Sequence, residues 1–282
     1  MTIAVSRIIH TIHATDSIDP IRHRYLEKLG GLTFAEGYHA AEDRDMALLY
    51  VADHMIEPMC PRDPSREDKA MAKYLRQYGP GWHSFEIKID NAREAAAELQ
   101  ASGCKLATVY DIFFFVRPES TGGILLEVCE IPMRNDPYDR PNWNPDWAAG
   151  LPSGLTRFDH IGCVVADVEI ALDFFTVKLD GRIVSDERIT NPQPGRKVTI
   201  HLGDTKVAFV QPDDSSTGPL GAFLSRVNSG IYAMTWQVED LAKARAWFES
   251  EGLRTIDEGC YTDGFAIHPD DFFGGRIEFV QR

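Results

Sequence analysis

Asp159-His160-Ile161-Gly162-Cys163-Val164-Val165-Ala166-Asp167 is a β-patterned run that ends in an acid, and the chain spells such an opening four times. The others are Ser6-Arg7-Ile8-Ile9-His10-Thr11-Ile12-His13-Ala14-Thr15-Asp16, Trp82-His83-Ser84-Phe85-Glu86-Ile87-Lys88-Ile89-Asp90 and Tyr232-Ala233-Met234-Thr235-Trp236-Gln237-Val238-Glu239-Asp240. A helical stretch, a Gly and short strands follow each acid. The period is longer than that of solenoid repeats, so each copy reads as a βαβββ module. The expected class is α+β: four βαβββ modules paired into two domains. His stands near the start of the first three openings, and the fourth has Ala233 there.

Working outward, residues 6–14 read as a strand and 18–29 as an amphipathic helix, with Ile18, Ile21, Tyr25, Leu26 and Leu29 near helical spacing. Strands are expected at 32–38, 45–52 and 54–59, and an extra helix at 65–78 closed by Gly79-Pro80-Gly81. The second copy reads as a strand at 82–89, an Ala-rich helix at 91–102, and strands at 104–109, 111–117 and 123–130. The third gives strands near 157–165, 181–189, 196–202 and 205–211 with a helix at 168–178. A short helix at 219–228 leads to the fourth, with strands near 230–238, 253–258, 264–268 and 275–281 and a helix at 240–251. Between copies two and three, residues 132–154 are rich in Pro, Asn, Asp and Gly. They read as a linker, and Trp143 and Trp147 suggest that it packs against a domain. The expected domains are therefore 1–131 and 155–282.

The 282 residues suit roughly two ordinary domains, and 44% hydrophobic with 26% charged is a globular composition. No run approaches the ~20 apolar residues of a membrane helix. Strand-like sequence begins almost at once, which leaves no room for a signal peptide. A net charge of −14 argues against nucleic acid and anionic membranes as partners. Five cysteines, an odd number without CxxC, are expected to be reduced thiols in a cytoplasmic protein. A homo-oligomer is left open.

The last strand of each copy carries Glu57, Glu127, Ala208 and Glu278 in turn. Copies one and two thus supply His10, Glu57, His83 and Glu127, while three and four supply only His160 and Glu278. Neutral imidazole and carboxylate suit a divalent first-row metal, and two of each make a neutral site with two open octahedral positions. Strand alternation puts Glu57 on a face with Met55 and Met59, and Glu127 with Leu125 and Cys129. A carboxylate among apolar neighbours is costly unless paired or coordinated. His13 is the rival of His10. His23, His39, His54 and His201 read as surface or supporting residues, His160 and Glu278 as packed relics, and His268 as a strand-end residue. Arg7, Arg117, Tyr110 and Trp82 are candidates to line a pocket. Gly122-Gly123 and Gly274-Gly275 are turns, since no strand–GxGxxG–helix context surrounds them.

At these residues the chain resembles the vicinal oxygen chelate superfamily, which includes glyoxalase I, epimerases, extradiol dioxygenases and bleomycin-binding proteins. Arg7-Ile8-Ile9-His10-Thr11 resembles the opening of glyoxalase I, whose His is a ligand. His83 followed by Ile89-Asp90-Asn91-Ala92-Arg93-Glu94-Ala95 is similar to its second module. Phe158-Asp159-His160-Ile161-Gly162 and His268-Pro269-Asp270 are common superfamily phrases. The resemblance implies two modules curving around one metal. Tandem extradiol dioxygenases place their ligands in the C-terminal pair, where this chain has Ala233.

The expected function is that of a metal-dependent lyase, isomerase or epimerase acting on a small oxygenated substrate. One divalent ion (Ni, Co, Mn, Zn or Fe) at His10, Glu57, His83 and Glu127 would polarise two neighbouring oxygens, with Glu127 or Glu57 as the catalytic base. An extradiol Fe(II) dioxygenase using His10, His83 and Glu127 is the alternative; a non-catalytic binding protein would need none of the four.

Overall fold

The structure is a computed structural model that describes residues 2–131, 136 and 151–282. Most of the expected linker, with Trp143 and Trp147, lies outside the described residues.

Copy one contains strands β1 (Arg7–Ala14), β2 (Leu32–His39), β3 (Arg44–Val51) and β4 (His54–Pro61). Copy two contains β5 (Gly81–Lys88), β6 (Leu106–Ala107), β7 (Phe113–Val116) and β8 (Leu125–Cys129). Copy three contains β9 (Leu155–Val164), β10 (Arg182–Ile189), β11 (Gly195–Leu202) and β12 (Thr205–Pro212). Copy four contains β13 (Gly230–Val238), β14 (Thr255–Ile256), β15 (Gly264–Ile267) and β16 (Ile277–Gln281). They form two eight-stranded sheets, ordered β2-β3-β4-β1-β5-β8-β7-β6 and β10-β11-β12-β9-β13-β16-β15-β14. The second order is the first repeated eight strands later, so the sequence repeat is a structural repeat. Each sheet is mixed: β5 and β8 run parallel, whereas β7 and β8 run antiparallel. The fold is α+β, as expected.

One helix follows the opening strand of each copy: α1 (Ile18–His23), α3 (Ala92–Ala101), α4 (Val168–Leu172) and α6 (Leu241–Ser250). In copies one and three it continues as a π-type turn, Arg24–Lys28 and Asp173–Lys178. Ile21, Tyr25 and Leu29, spaced by four, are fully buried, and this stripe holds the first helix on its sheet. Gly30 ends it at φ +64°, the left-handed region that glycine enters without a Cβ penalty. The two linking helices are α2 (Ala70–Tyr78) and α5 (Gly218–Val227). α2 starts five residues later than the pattern implies, because Asp63 captures the Ser65 N–H and hydroxyl in a turn. The expected strand at 104–109 shortens to the two residues of β6.

By proximity the chain divides into two compact units. One comprises Met1–His10, Ser84–Arg134 and His160–Tyr232; the other comprises Thr11–His83, Asn135–Asp159 and Ala233–Arg282. The sheets thus join copies one with two and three with four, while compactness groups two with three and one with four. All five cysteines are free thiols. Among the described residues, no helix is long and apolar enough to cross a membrane.

Candidate metal centre

The helix caps fix the register of the repeat. Ser17, Asn91, Asp167 and Asp240 are the N-caps of α1, α3, α4 and α6. Seven residues before each cap stand His10, Ser84, His160 and Ala233. Five residues before each stand Ile12, Glu86, Gly162 and Thr235. Strand pairing agrees with this count. Glu86 lies beside Glu127, Gly162 beside Ala208, and Thr235 beside Glu278. The last-strand position therefore always neighbours the residue five before the cap, and only copy two has a second carboxylate there.

That second carboxylate completes a cluster. Ligand atoms of His10, Glu86 and Glu127 all lie within 4.8 Å of one another. Nδ1 of His10 is 2.8 Å from Oε2 of Glu86. All three residues belong to the first compact unit. His10 and Glu86 are buried, at 3% and 5% exposure, and Glu127 is half-buried. Two carboxylates held this close favour a cation or a shared proton between them. Ligand atoms around one ion with bonds of ~2.1 Å sit ~3–4 Å apart, so small side-chain rotations bring this trio onto a single divalent ion.

The structure brings His10 and Glu127 together and adds Glu86, for which the sequence reading had no role. It leaves His83 and Glu57 outside this group. His83 is one residue before Ser84, the true counterpart of His10. Its ring packs edge-on against Tyr74 of α2, with centroids 4.5 Å apart. Burial holds its imidazole down at about 4, and the charge of Arg44 pushes the same way. Glu57 is buried on β4 and belongs to the second unit.

His13 is a structural histidine. Its Nδ1 is 2.7 Å from the Tyr25 hydroxyl and its Nε2 is 3.1 Å from the Phe273 carbonyl. Burial pulls its pKa down to about 4, against the raising effect of the Phe273 bond. His54 is a core residue and not a surface one; it stacks on Phe158 at 4.0 Å and shares a 3.0 Å hydrogen bond with Thr11. His23 pairs with Glu27 on the surface, and His268 caps the turn at Asp270. Of the pocket candidates, Trp82 donates to the Arg276 carbonyl and Arg7 is buried 4.0 Å from Asp204. Arg117 is exposed, and Tyr110 lies beside Phe113.

The matching place in copy four already holds a cation. Glu278 is fully buried, and Nε of Arg276 donates to its Oε1 at 2.8 Å. Thr262 donates to the other oxygen at 2.9 Å. The same guanidinium reaches the Glu258 carbonyl at 2.7 Å. Arg276 stands two residues before Glu278, where copy two has Leu125 before Glu127. A fixed guanidinium with its own hydrogen bonds neutralises Glu278 without a metal.

Cys129 lies two residues after Glu127 on the same face. Burial pushes its thiol up to about 12, with the Glu86 carboxylate adding to the rise, so it stays protonated near neutrality.

Residues 159–269 match the family model of the glyoxalase/bleomycin resistance protein/dioxygenase superfamily. The chain carries a domain of this superfamily, and its two sheets fit two such domains in tandem. An ethylmalonyl-CoA/methylmalonyl-CoA epimerase of Cereibacter sphaeroides is 26% identical over 137 residues, covering 45% of this chain and 98% of that protein. Among solved structures, a mutant of 4-hydroxymandelate synthase from Streptomyces coelicolor aligns with TM-score 0.73 and 15% identity, over 99% of this chain and 93% of that one. A xylose isomerase-like TIM barrel/4-hydroxyphenylpyruvate dioxygenase fusion protein aligns with TM-score 0.62 and 14% identity, over all of this chain and half of that one. At these identities the two structures share the fold alone. The curated relative is named as an epimerase, and one of the structures that share the fold is named as a dioxygenase fusion.

Proposed function

We propose that the protein is a metal-dependent lyase, isomerase or epimerase that acts on a small oxygenated organic substrate by removing a proton next to a carbonyl. The observation that carries this reading is the His10–Glu86–Glu127 cluster. His10, Glu86 and Glu127 would hold one divalent ion, and their neutral imidazole and two carboxylates balance its charge. When bound, the ion supplies Lewis acidity to two neighbouring substrate oxygens. Glu86 is nearly inaccessible and suits a fixed holding role. Glu127 reaches the open face of β8 and suits the proton-accepting role at its carboxylate oxygen. The donor set also bears on the alternative: the Fe(II) oxygenase triad has two His and one carboxylate, whereas this cluster has one His and two.

The test is incubation of the metal-loaded protein with 2-oxo acids in D2O. Deuterium should enter at the carbon beside the carbonyl without oxygen uptake. Glu127→Gln should slow that exchange at least ~10²-fold, the lower end of general acid–base contributions. Oxygen consumption with an oxidised product would place the chain with the dioxygenases instead.

A further inference from the structure

We infer that Asp204 is a positioning residue for the metal centre: from the β11–β12 turn of copy three it holds the main chain two residues before His10. The inference rests on the proposed metal site and adds the part that aims its histidine.

The segment that leads into β1 is held at several points. The Ile3 N–H donates to the Lys178 carbonyl at 2.9 Å, and Ile3 forms a β-bridge with Leu179. The Val5 N–H donates to Oδ1 of Asp180 at 3.0 Å. The Ser6 N–H donates to the Lys88 carbonyl at 2.9 Å, which ties the segment to β5 two residues past Glu86. The Ile8 N–H donates to Oδ1 of Asp204 at 3.0 Å, while Oδ2 of the same carboxylate faces Nε of Arg7 at 4.0 Å. Arg7 and Ile8 are buried, so this charge-assisted bond meets little competition from water. All of these residues belong to the first compact unit, together with His10, Glu86 and Glu127.

Asp204 reaches the strand because its turn lies against it. Gly203 has φ +60°, and a Cβ there would lie 2.9 Å from the Arg7 nitrogen and 3.0 Å from the Arg7 Cα. Glycine supplies both the left-handed backbone and the room for this approach. Ile8 and His10 are two residues apart on one strand and share a face. His10 is the fourth residue of β1, near the end, where elements fray first. A metal ligand must be held within about 0.5 Å of its working position, so its strand has to be fixed at that end.

The same clasp recurs in the repeat. In the β3–β4 turn of copy one, Asp53 accepts from the Phe158 N–H at 2.6 Å, and Phe158 stands two residues before His160. Ala52 takes φ +51° there, as Gly203 takes +60°. Copies one and three therefore grip each other's opening strands with matching aspartates. Among the described residues, only the strand gripped by Asp204 contributes to a cluster of metal-ligand type. Copy three, which has Ala208 at its last-strand carboxylate position, thus serves the site in copies one and two. Asp53 supplies the internal control: the same bond, at the same place, on a strand outside that cluster.

The experiment titrates the full-length protein with Mn2+ by calorimetry and follows main-chain amide exchange by NMR. Asp204→Ala should release the Ile8 amide to exchange and weaken Mn2+ binding about tenfold, the lower end for groups that orient metal ligands. Asp204→Asn keeps an oxygen for the Ile8 N–H and should bind Mn2+ like the parent. Asp53→Ala should release the Phe158 amide and leave Mn2+ affinity as it is. Should Asp204→Ala fail to fold, Asp180→Ala, which releases the Val5 N–H, should show a smaller loss of the same kind. Parent affinity in Asp204→Ala, failure of Asp204→Asn to restore it, or an equal loss in Asp53→Ala overturns the inference and leaves the metal reading standing. A parent protein that binds no Mn2+ contradicts the metal reading and this inference with it.

Discussion

Glu127 and Glu278 occupy the same place in two copies of one module, yet they meet opposite surroundings. Glu278 is sealed, with Arg276 and Thr262 on its two oxygens. Glu127 faces an accessible surface, with a second carboxylate and an imidazole within 4.8 Å. The backbone frame is shared, so the difference comes from a few side chains. Copy four replaces Leu125 with Arg276, Glu86 with Thr235, and Phe113 and Phe115 with Gly264 and Ala266. A buried carboxylate must be neutralised: one copy carries its cation as a side chain, and for the other the proposal is a cation taken from solution.

The largest expected effect tests the sealed copy. Arg276→Leu installs the residue of copy two and leaves Glu278 buried without its charge partner. Unfolding free energy should drop by about 3–5 kcal/mol, measured by urea denaturation. Adding Glu278→Gln should recover much of it. If the single variant were as stable as the parent, the guanidinium would not be the counter-charge described.

Acid sensitivity separates two histidines of one strand. His13 is buried neutral, with a pKa of about 4 against an ordinary 6.5. Between those values the unfolded chain binds more protons than the folded one, so stability falls as pH drops from 6.5 toward 4. The full loss is about 3 kcal/mol, and it is complete below the folded pKa. His13→Gln should flatten that part of the stability curve, whereas His10→Gln should change metal content. A curve unchanged by His13→Gln would show that another group governs the acid limb.

A smaller effect probes the second oxygen of Glu278. Thr262→Val should cost about 1.5–3 kcal/mol, the range for a hydrogen bond to a charged group, with the lower end expected at this half-buried hydroxyl. A neutral outcome would mean that Arg276 alone satisfies the carboxylate.

Much of this was legible in the sequence. The four openings, their helices and the last strands fall where hydrophobic alternation and Gly punctuation put them, because each βαβββ copy buries its own faces by local rules. His10 and Glu127 were also legible, as polar residues on apolar strand faces. His83 is suggested by its place near the start of the second opening, but α3 is capped by Asn91, and Ser84 is the residue seven before that cap. Asn, Asp and Ser serve almost equally as caps, so the terminal acid of each opening is not a fixed landmark. In copies one and two the acid precedes the cap, and in copies three and four the acid is the cap, so distances from the acid shift by one between the two pairs. The signal that sets it right is the capping interaction itself: Asn91 accepts from the Glu94 N–H at 3.0 Å, and its amide reaches the Glu94 carboxylate. Glu86 escaped for another reason. Its counterparts are Ile12, Gly162 and Thr235, so comparing copies for shared ligands passes over a residue that only one copy has.

The central claim is that one divalent ion is held by His10, Glu86 and Glu127 and none by the second sheet. Its most direct test is metal content by mass spectrometry after equilibrium dialysis against Mn2+, Co2+, Ni2+, Fe2+ or Zn2+. The parent protein should retain one ion per chain, Glu86→Gln and His10→Ala should each lose it, and Glu278→Gln should keep it. Stoichiometric metal in Glu86→Gln, or its loss in Glu278→Gln alone, would contradict the claim.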